Sequence, residues 1–472
     1  MKPKVLMVGA ECAPFAKAGG LADVMGALPK ALQQNGIEVR VLMPMHQMMK
    51  KKYSDKAEIL LTMCVNLGGN NQCLRLKKMV IDDIVYYLVD NKFHYGYAIY
   101  KGGEMEMEQY AYLCRALLEV LPYLDYQPNI LHLNDWHTSL VPVLLKTQYP
   151  QYDLKTMLTI HNLQYQGECT CEFIKDALHV GDAYCTDEYL GSGGDVNMLK
   201  GGINFADVIT TVSPTYAKEI LSKEFGYGLE SALAKRKTDL IGILNGINTD
   251  EFDPSADEAI KQTYTLESIG KKRENKKALL DETSLEVGIE TPIIGMVTRM
   301  VEQKGLDILE KAMDELLTLD VGFVMLGNGD PSFEKYFDLV GKWSRGKAHV
   351  HIGYANEFAH QIYAGCDFFL MPSMFEPCGL AQMIAQCYGT LPIVHSTGGL
   401  KDTVIPHDKE GGNGFCFAEY TSEAMMDSIQ AALEVYKDKS AMDQLIKNAM
   451  SEDNSFSKSA QKYIEVYEKL LT

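Results

Sequence analysis

Short apolar runs rich in β-branched residues punctuate this chain, and amphipathic stretches separate them. In the first half the runs lie at 5–10, 39–44, 85–90, 130–135, 157–162, 208–213 and 240–245. In the second half they lie at 292–299, 322–330, 350–354, 368–373 and 391–396. Runs that are continuous rather than alternating predict parallel strands buried on both faces, with helices between them. The stretch 21–34 carries apolar residues at helical spacing and stops at Asn35-Gly36. Ser213-Pro214 predicts a second helix start, with serine as cap and proline in the first turn. Strand–helix alternation in both halves predicts an α/β protein of two doubly wound Rossmann-like domains. The divide falls between about 246 and 291, where strand character gives way to charge, as in Lys271-Lys272-Arg273-Glu274. The segment from 456 to 472 reads as a final amphipathic helix.

Composition narrows the function. The 472 residues are 46% hydrophobic and 23% charged, the balance of a globular chain. The net charge of -18 argues against nucleic acid as a partner. An anionic ligand must therefore meet a local cluster of cations. No stretch reaches the roughly 18 apolar residues of a membrane span. The N-terminal apolar run is too short for a signal peptide and is interrupted by Glu11. The eleven cysteines form no C-x-x-C pair, and only Cys169 and Cys171 are close together. Scattered free thiols are expected, with a cytoplasmic location.

In open parallel sheets ligands bind beyond the carboxyl ends of the strands. The residues there include Glu11, Asp90, Asp135, His161, Asn162, Ser213 and Asn245 in the first half. In the second half they include Arg299, Asn328, Asp330, Tyr354, Ser373 and His395. Three segments carry sharper chemistry. Lys17-Ala18-Gly19-Gly20-Leu21 is a Gly-Gly loop that opens a helix beside a lysine, a setting suited to an anion. It matches neither a P-loop nor a dinucleotide fingerprint. Arg299 and Lys304 follow a strand and together suit a diphosphate. Phe375-Glu376-Pro377-Cys378-Gly379-Leu380 follows another strand and offers free amides and a carboxylate, while Cys378 itself reads as a packed residue. The Gly-Gly loop has an echo, Gly19-Gly20-Leu21-Ala22-Asp23 against Gly398-Gly399-Leu400-Lys401-Asp402. No metal-ligand spacing and no G-x-S-x-G elbow occurs.

Taken together the motifs resemble the bacterial glycogen synthase and plant starch synthase family. They are K-A-G-G-L (17–21), H-L-N-D-W-H-T (132–138), H-N-L-Q-Y-Q-G (161–167), K-G-G-I-N-F-A-D (200–207), T-V-S-P-T-Y-A (211–217), F-G-Y-G-L-E (225–230), G-I-L-N-G-I-N-T (242–249), R-M-V-E-Q-K-G (299–305), P-S-M-F-E-P-C-G-L (372–380) and S-T-G-G-L-K-D-T-V (396–404). The resemblance implies a retaining transfer of glucose from ADP-glucose to the non-reducing end of an α-1,4-glucan such as glycogen. It implies the glycosyltransferase B architecture with the active site in the interdomain cleft, and neither cofactor nor metal. The implied domains are 1–245 on the acceptor side, 246–455 on the donor side, and a final helix, 456–472, crossing back to the first. Lys17, Gly19 and Gly20 would meet the donor diphosphate, as would Arg299, Lys304, Gly379 and Leu380. Cys378 and Thr397 would line the same donor site. Tyr354 would stack on the adenine and Asp23 would lie near the ribose. Glu376, Asp135, His161, Asn162 and Asn245 would surround the glucose. The resemblance leaves two roles open for Glu376, as the group that orients the sugar or as a nucleophile.

Some positions depart from the family pattern. Met374 stands where arginine is usual, Ala381 replaces a common threonine, and Phe456 replaces a tryptophan. The segment after Gln166-Gly167 lacks the usual aromatic. Two rival readings remain at this level. One is a transferase using a UDP-sugar on the same fold, and the other is a catalytically silent glucan-binding protein.

Overall fold

The computed structural model describes residues 2–283 and 285–472. The chain forms two compact units, Met1–Asn245 together with Phe456–Thr472, and Gly246–Ser455.

The first unit is built on a nine-stranded sheet. Its strands are β1 (Lys4–Val8), β2 (Glu38–Pro44), β3 (Glu58–Leu67), β4 (Asn70–Ile81), β5 (Ile84–Asp90), β6 (Ile130–Asn134) and β7 (Lys155–Ile160). A small antiparallel sheet follows, with β8 (Glu168–Cys169), β9 (Gly191–Ser192) and β10 (Asp195–Asn197) in the order β8-β10-β9. β11 (Val208–Thr211) and β12 (Leu240–Gly242) complete the large sheet, whose order is β12-β11-β7-β6-β1-β2-β5-β4-β3. From β12 to β5 the pairing is parallel. The predicted runs are these buried strands, and Val5 to Val8 of β1 have no exposed surface. The predicted helix runs from Gly20 to Gln34, and Asn35 caps it. Ser213 caps the helix Pro214–Glu219 by accepting from the Tyr216 amide.

Two features of this unit differ from the sequence expectation. β3 and β4 form an antiparallel hairpin through Gly68-Gly69 at the sheet edge. One face of each strand is solvated, so its residues alternate and give no continuous apolar run. Cysteine is the second correction, because Cys171 and Cys185 form a disulfide with Cα atoms 5.9 Å apart. The helix Cys171–Leu178 and the turn Asp182–Tyr184 fold the chain back on itself, which fourteen residues of spacing alone do not reveal. The other nine cysteines are free, and Cys12, Cys114, Cys366 and Cys378 are buried.

The helix Phe456–Leu470 packs on this unit. Phe456, Ala460, Tyr463 and Tyr467 line one helical face and join the core that also contains Val24, Leu28 and Leu32. Tyr467 Oη lies 2.7 Å from His132 Nδ1 within this buried layer.

The second unit is a six-stranded parallel sheet of β13 (Ile293–Met300), β14 (Gly322–Gly329), β15 (Ala348–Ile352), β16 (Phe368–Met371), β17 (Leu391–His395) and β18 (Phe415–Phe417). Its order is β15-β14-β13-β16-β17-β18. In each sheet the strand order turns around the first strand of the unit, β1 or β13. Loops leaving the central strands diverge there and open a crevice at the carboxyl ends. Among the described residues no helix is long and apolar enough to cross a membrane.

Candidate active site

In the first unit the loops after β1, β6 and β7 converge. Asp135 follows β6 with φ +59°, a conformation that costs a non-glycine residue strain and is typical of functional loops. Its carboxylate accepts the His161 amide at 2.7 Å and also the Asn162 amide. Burial nevertheless pushes its pKa up to about 7, and the nearby Glu11 charge adds to the rise. His161 is buried, and its Nε2 lies 2.9 Å from Asn134 Oδ1. The Asn134 amide nitrogen donates to the Val8 and His132 carbonyls, so its oxygen is the acceptor and His161 Nε2 donates. Burial lowers the His161 pKa to about 3, which keeps the imidazole neutral.

Glu11 lies early in the loop after β1 and is 2% exposed. Its carboxylate accepts from the Ala18 amide, from the Gly19 amide at 3.1 Å and from the Tyr100 hydroxyl at 3.1 Å. Desolvation raises its pKa above the usual carboxylate value against the pull of these donors. The Gly-Gly loop is therefore held by an internal carboxylate. Of the two glycines expected to face an anion, Gly19 already has its amide engaged, and Gly20 heads the helix. Lys17 Nζ lies 2.6 Å from Asp23 Oδ1. Asn245 is buried, and its side-chain oxygen has no hydrogen-bond partner among the described residues. A buried acceptor left over in this way suits a ligand donor.

A cavity of about 380 Å³ lies in the same unit, lined by Trp136, Gln164, Tyr165, Gln166, Gly167 and Tyr227. Tyr165 and Tyr227 are exposed although both are large aromatics. Rings and amides around an open groove offer stacking faces and hydrogen bonds of the kind a sugar chain uses. Both tyrosines sit in motifs noted in the sequence, but nothing in spacing singled them out. Tyr100 also escaped notice, because the segment around it carries no motif.

In the second unit β13 and β16 are neighbours, and their loops carry the charged groups. Lys304 Nζ lies 2.6 Å from Glu376 Oε2, with the side chains only 15% and 9% exposed. The Ser373 hydroxyl donates to the same oxygen at 2.9 Å. Arg299, near the end of β13, is exposed and has no ion-pair partner among the described residues. The echo of the Gly-Gly loop has a packing cause. A Cβ on Gly398 or Gly399 would come within about 2 Å of the Glu376 or Cys378 carbonyl oxygen. The Gly399 amide donates to the Glu376 carbonyl at 3.0 Å, so this turn fixes the Glu376 loop from behind. Cys378 is buried on that loop, with Gly379 and Leu380 leading into the helix Ala381–Cys387. Thr397 immediately precedes the helix Gly398–Thr403, in extended backbone conformation. Tyr354 stands apart beyond β15 and is 79% exposed, an aromatic face presented to solvent.

The structure thus joins Asp135, His161 and Asn162 in one hydrogen-bonded group, Lys17 with Asp23, and Lys304 with Glu376 and Ser373. Comparison with known proteins identifies the family. Residues 4–235 match the starch synthase catalytic domain and residues 282–451 match the glycosyl transferases of group 1. A glycogen synthase of Bacillus cereus is 44% identical over 473 aligned positions, covering 99% of both chains. One of Geobacillus thermodenitrificans is 42% identical, covering 99% of this chain and 98% of its own. The solved catalytic domain of starch synthase IV from Arabidopsis thaliana, bound to ADP and acarbose, superposes with a TM-score of 0.93 at 32% identity over the full length of both. A sucrose-phosphate synthase from Thermosynechococcus elongatus, 18% identical with a TM-score of 0.65 over 100% of this chain and 99% of its own, shares the fold alone. With near-complete coverage at this identity, the chain belongs to the glycogen synthase family of hexosyltransferases and has their two-domain glycosyltransferase B fold.

Proposed function

We propose that this glycogen synthase takes its glucose from ADP-glucose and adds it, with retention, to the non-reducing end of an α-1,4-glucan in the cytoplasm. The observation that carries a diphosphate-linked sugar donor is the Lys304–Glu376 pair on loops next to that of Arg299, which has no ion-pair partner among the described residues. As the bond from C1 to the diphosphate breaks, negative charge builds on the leaving oxygens. Cations already in place stabilise that charge more than they stabilise the ground state. Lys304 and Arg299 supply them in the second unit, with the Gly379 and Leu380 amides beside them and Cys378 and Thr397 lining the pocket. Lys17 and Gly20 serve the same anion from the first unit, while Gly19 shapes the loop through Glu11. Tyr354 takes the adenine face and Asp23 the ribose.

The glucose lies among Glu376, Asp135, His161, Asn162 and Asn245 in this reading. His161 stays neutral and hydrogen-bonded at Nε2, so its backbone carbonyl is held steady beside the anomeric carbon. Glu376, tied to Lys304 and Ser373, orients the sugar hydroxyls. The departing phosphate then takes the acceptor proton on the same face. The aromatic groove of Trp136, Tyr165 and Tyr227 receives the glucan chain. The starch synthase with ADP and acarbose bound supports both ligand classes by analogy. Donor competition tests the reading. Transfer to glycogen should run from ADP-glucose and fall strongly with UDP-glucose. Equal or faster turnover of UDP-glucose overturns the donor, and glycogen binding without any transfer overturns the catalytic reading.

A further inference from the structure

Among the described residues only two free cysteines are exposed, Cys64 and Cys73, and they face each other across the β3–β4 hairpin. The register pairs Cys64 with Cys73, and its only irregularity lies between Ile59 and Leu61, away from this pair. The side of the ladder on which each backbone group lies follows from a second contact. Asn91 Nδ2 donates to the Cys73 carbonyl at 3.1 Å, and Asn91 directly follows β5 on the other side of β4. In an antiparallel strand a residue's N–H and C=O point the same way, so those of Cys73 point away from β3. The Cys64–Cys73 pair is therefore a non-hydrogen-bonded pair, whose Cα atoms lie about 4.5 Å apart with side chains close together. That spacing falls at the near edge of the range a disulfide spans, about 4.4–6.8 Å. Both side chains lie on the solvated face of their strands. The inward neighbours Val65, Leu74 and Leu76 are buried and hold the register, since a slip by one residue would expose them.

We propose that Cys64 and Cys73 form a dithiol site that small disulfides of the glutathione type oxidise to a cross-strand disulfide. One thiolate attacks the small disulfide, forms a mixed disulfide and releases one small thiol. The facing thiolate then attacks the protein sulfur of that mixed disulfide and expels the second small thiol. The protein loses two hydrogens, the small disulfide gains both electrons, and the two released thiols carry the protons. The register places the second thiol within bonding range before the first step, so ring closure outruns a second encounter with small thiol. A small reducing dithiol reverses the reaction. The site uses no residue of the glucosyl-transfer centre.

The sequence makes the test direct, because Lys56 and Arg75 bracket both cysteines within one tryptic segment, 57–75. The folded, reduced enzyme is treated with oxidised glutathione, its remaining thiols are alkylated, and the segment is weighed. The expected result is loss of two hydrogens with neither glutathione nor alkyl label, restored to two labelled thiols by dithiothreitol. In Cys64→Ser the segment should instead stop at a single glutathione adduct on Cys73, which shows that the facing thiol performs the second step. Recovery of the wild-type segment with one or two glutathiones, or with both thiols alkylated, overturns the proposal. So does the same loss of two hydrogens when the protein is unfolded but not when it is folded.

Discussion

Replacing Lys304 by alanine leaves Glu376 as a nearly buried carboxylate whose remaining side-chain hydrogen-bond donor among the described residues is the Ser373 hydroxyl. Removing one partner of a buried ion pair costs about 3–5 kcal/mol, because the other charge stays desolvated. The same lysine faces the leaving diphosphate in the proposed mechanism. Loss of one preorganised donor to a developing oxyanion costs about 2.7–4 kcal/mol, or about 100- to 1,000-fold in turnover. Lys304→Ala should therefore lose about 3–5 kcal/mol of stability and at least about a hundredfold in kcat. The two effects separate in the double variant Lys304→Ala/Glu376→Gln. Removing the orphaned charge should restore most of the stability and none of the activity. Denaturant unfolding followed by circular dichroism gives the first quantity. Initial rates of labelled glucose transfer from ADP-glucose to glycogen give the second. A folded Lys304→Ala enzyme with wild-type turnover refutes the site assignment. A double variant no more stable than Lys304→Ala refutes the energetic reasoning.

Other predictions probe separate parts of the site. Asp135 holds its proton to about pH 7 in the folded protein but releases it near the ordinary carboxylate pKa when unfolded. Its contribution to stability should thus fall as pH rises from about 4 to 7 and then level off. In unfolding curves over that range Asp135→Asn should be less pH-dependent than wild type, and identical slopes would contradict the burial argument. Gly305 has φ +74°, and a Cβ there would lie 1.9 Å from the Pro372 carbonyl oxygen. Gly305→Ala should then misplace the adjacent Lys304 and lower both Tm and kcat, and an unchanged pair of values would count against that loop geometry. Cys171→Ser frees the segment that begins just beyond Gly167 and Glu168 of the aromatic groove. It should raise the KM for glycogen while leaving the KM for ADP-glucose unchanged, whereas an unaltered glycogen KM would separate the disulfide from acceptor binding.

The chain's pattern alone determined the buried parallel strands, because a strand covered on both faces must be apolar throughout and a helix between strands must be amphipathic. Those local requirements are written residue by residue, and so are the helix stops at Asn35-Gly36 and the cap at Ser213. The sequence also placed Asp135, His161 and Arg299 at strand ends, and Lys17, Lys304 and Glu376 in loops that follow strands. What spacing could not state is how these groups partner. Lys304 and Glu376 are 72 positions apart, and only the adjacency of β13 with β16 brings their side chains together. The same is true of Asp135 with the His161 amide, across β6 and β7. Glu11 was visible only as a strand-end carboxylate, and its hold on the Gly-Gly loop exists because the chain returns to it and Tyr100 arrives from a distant segment. The edge hairpin and the Cys171–Cys185 bond were illegible for related reasons. A half-solvated strand has no continuous apolar run, and a disulfide depends on distance in space. Sequence therefore determined which polar and charged residues stand in the loops beyond the buried strands, through local burial and periodicity. Tertiary structure alone decided their charge states and partners, because burial and opposing charge are set by residues far away along the chain.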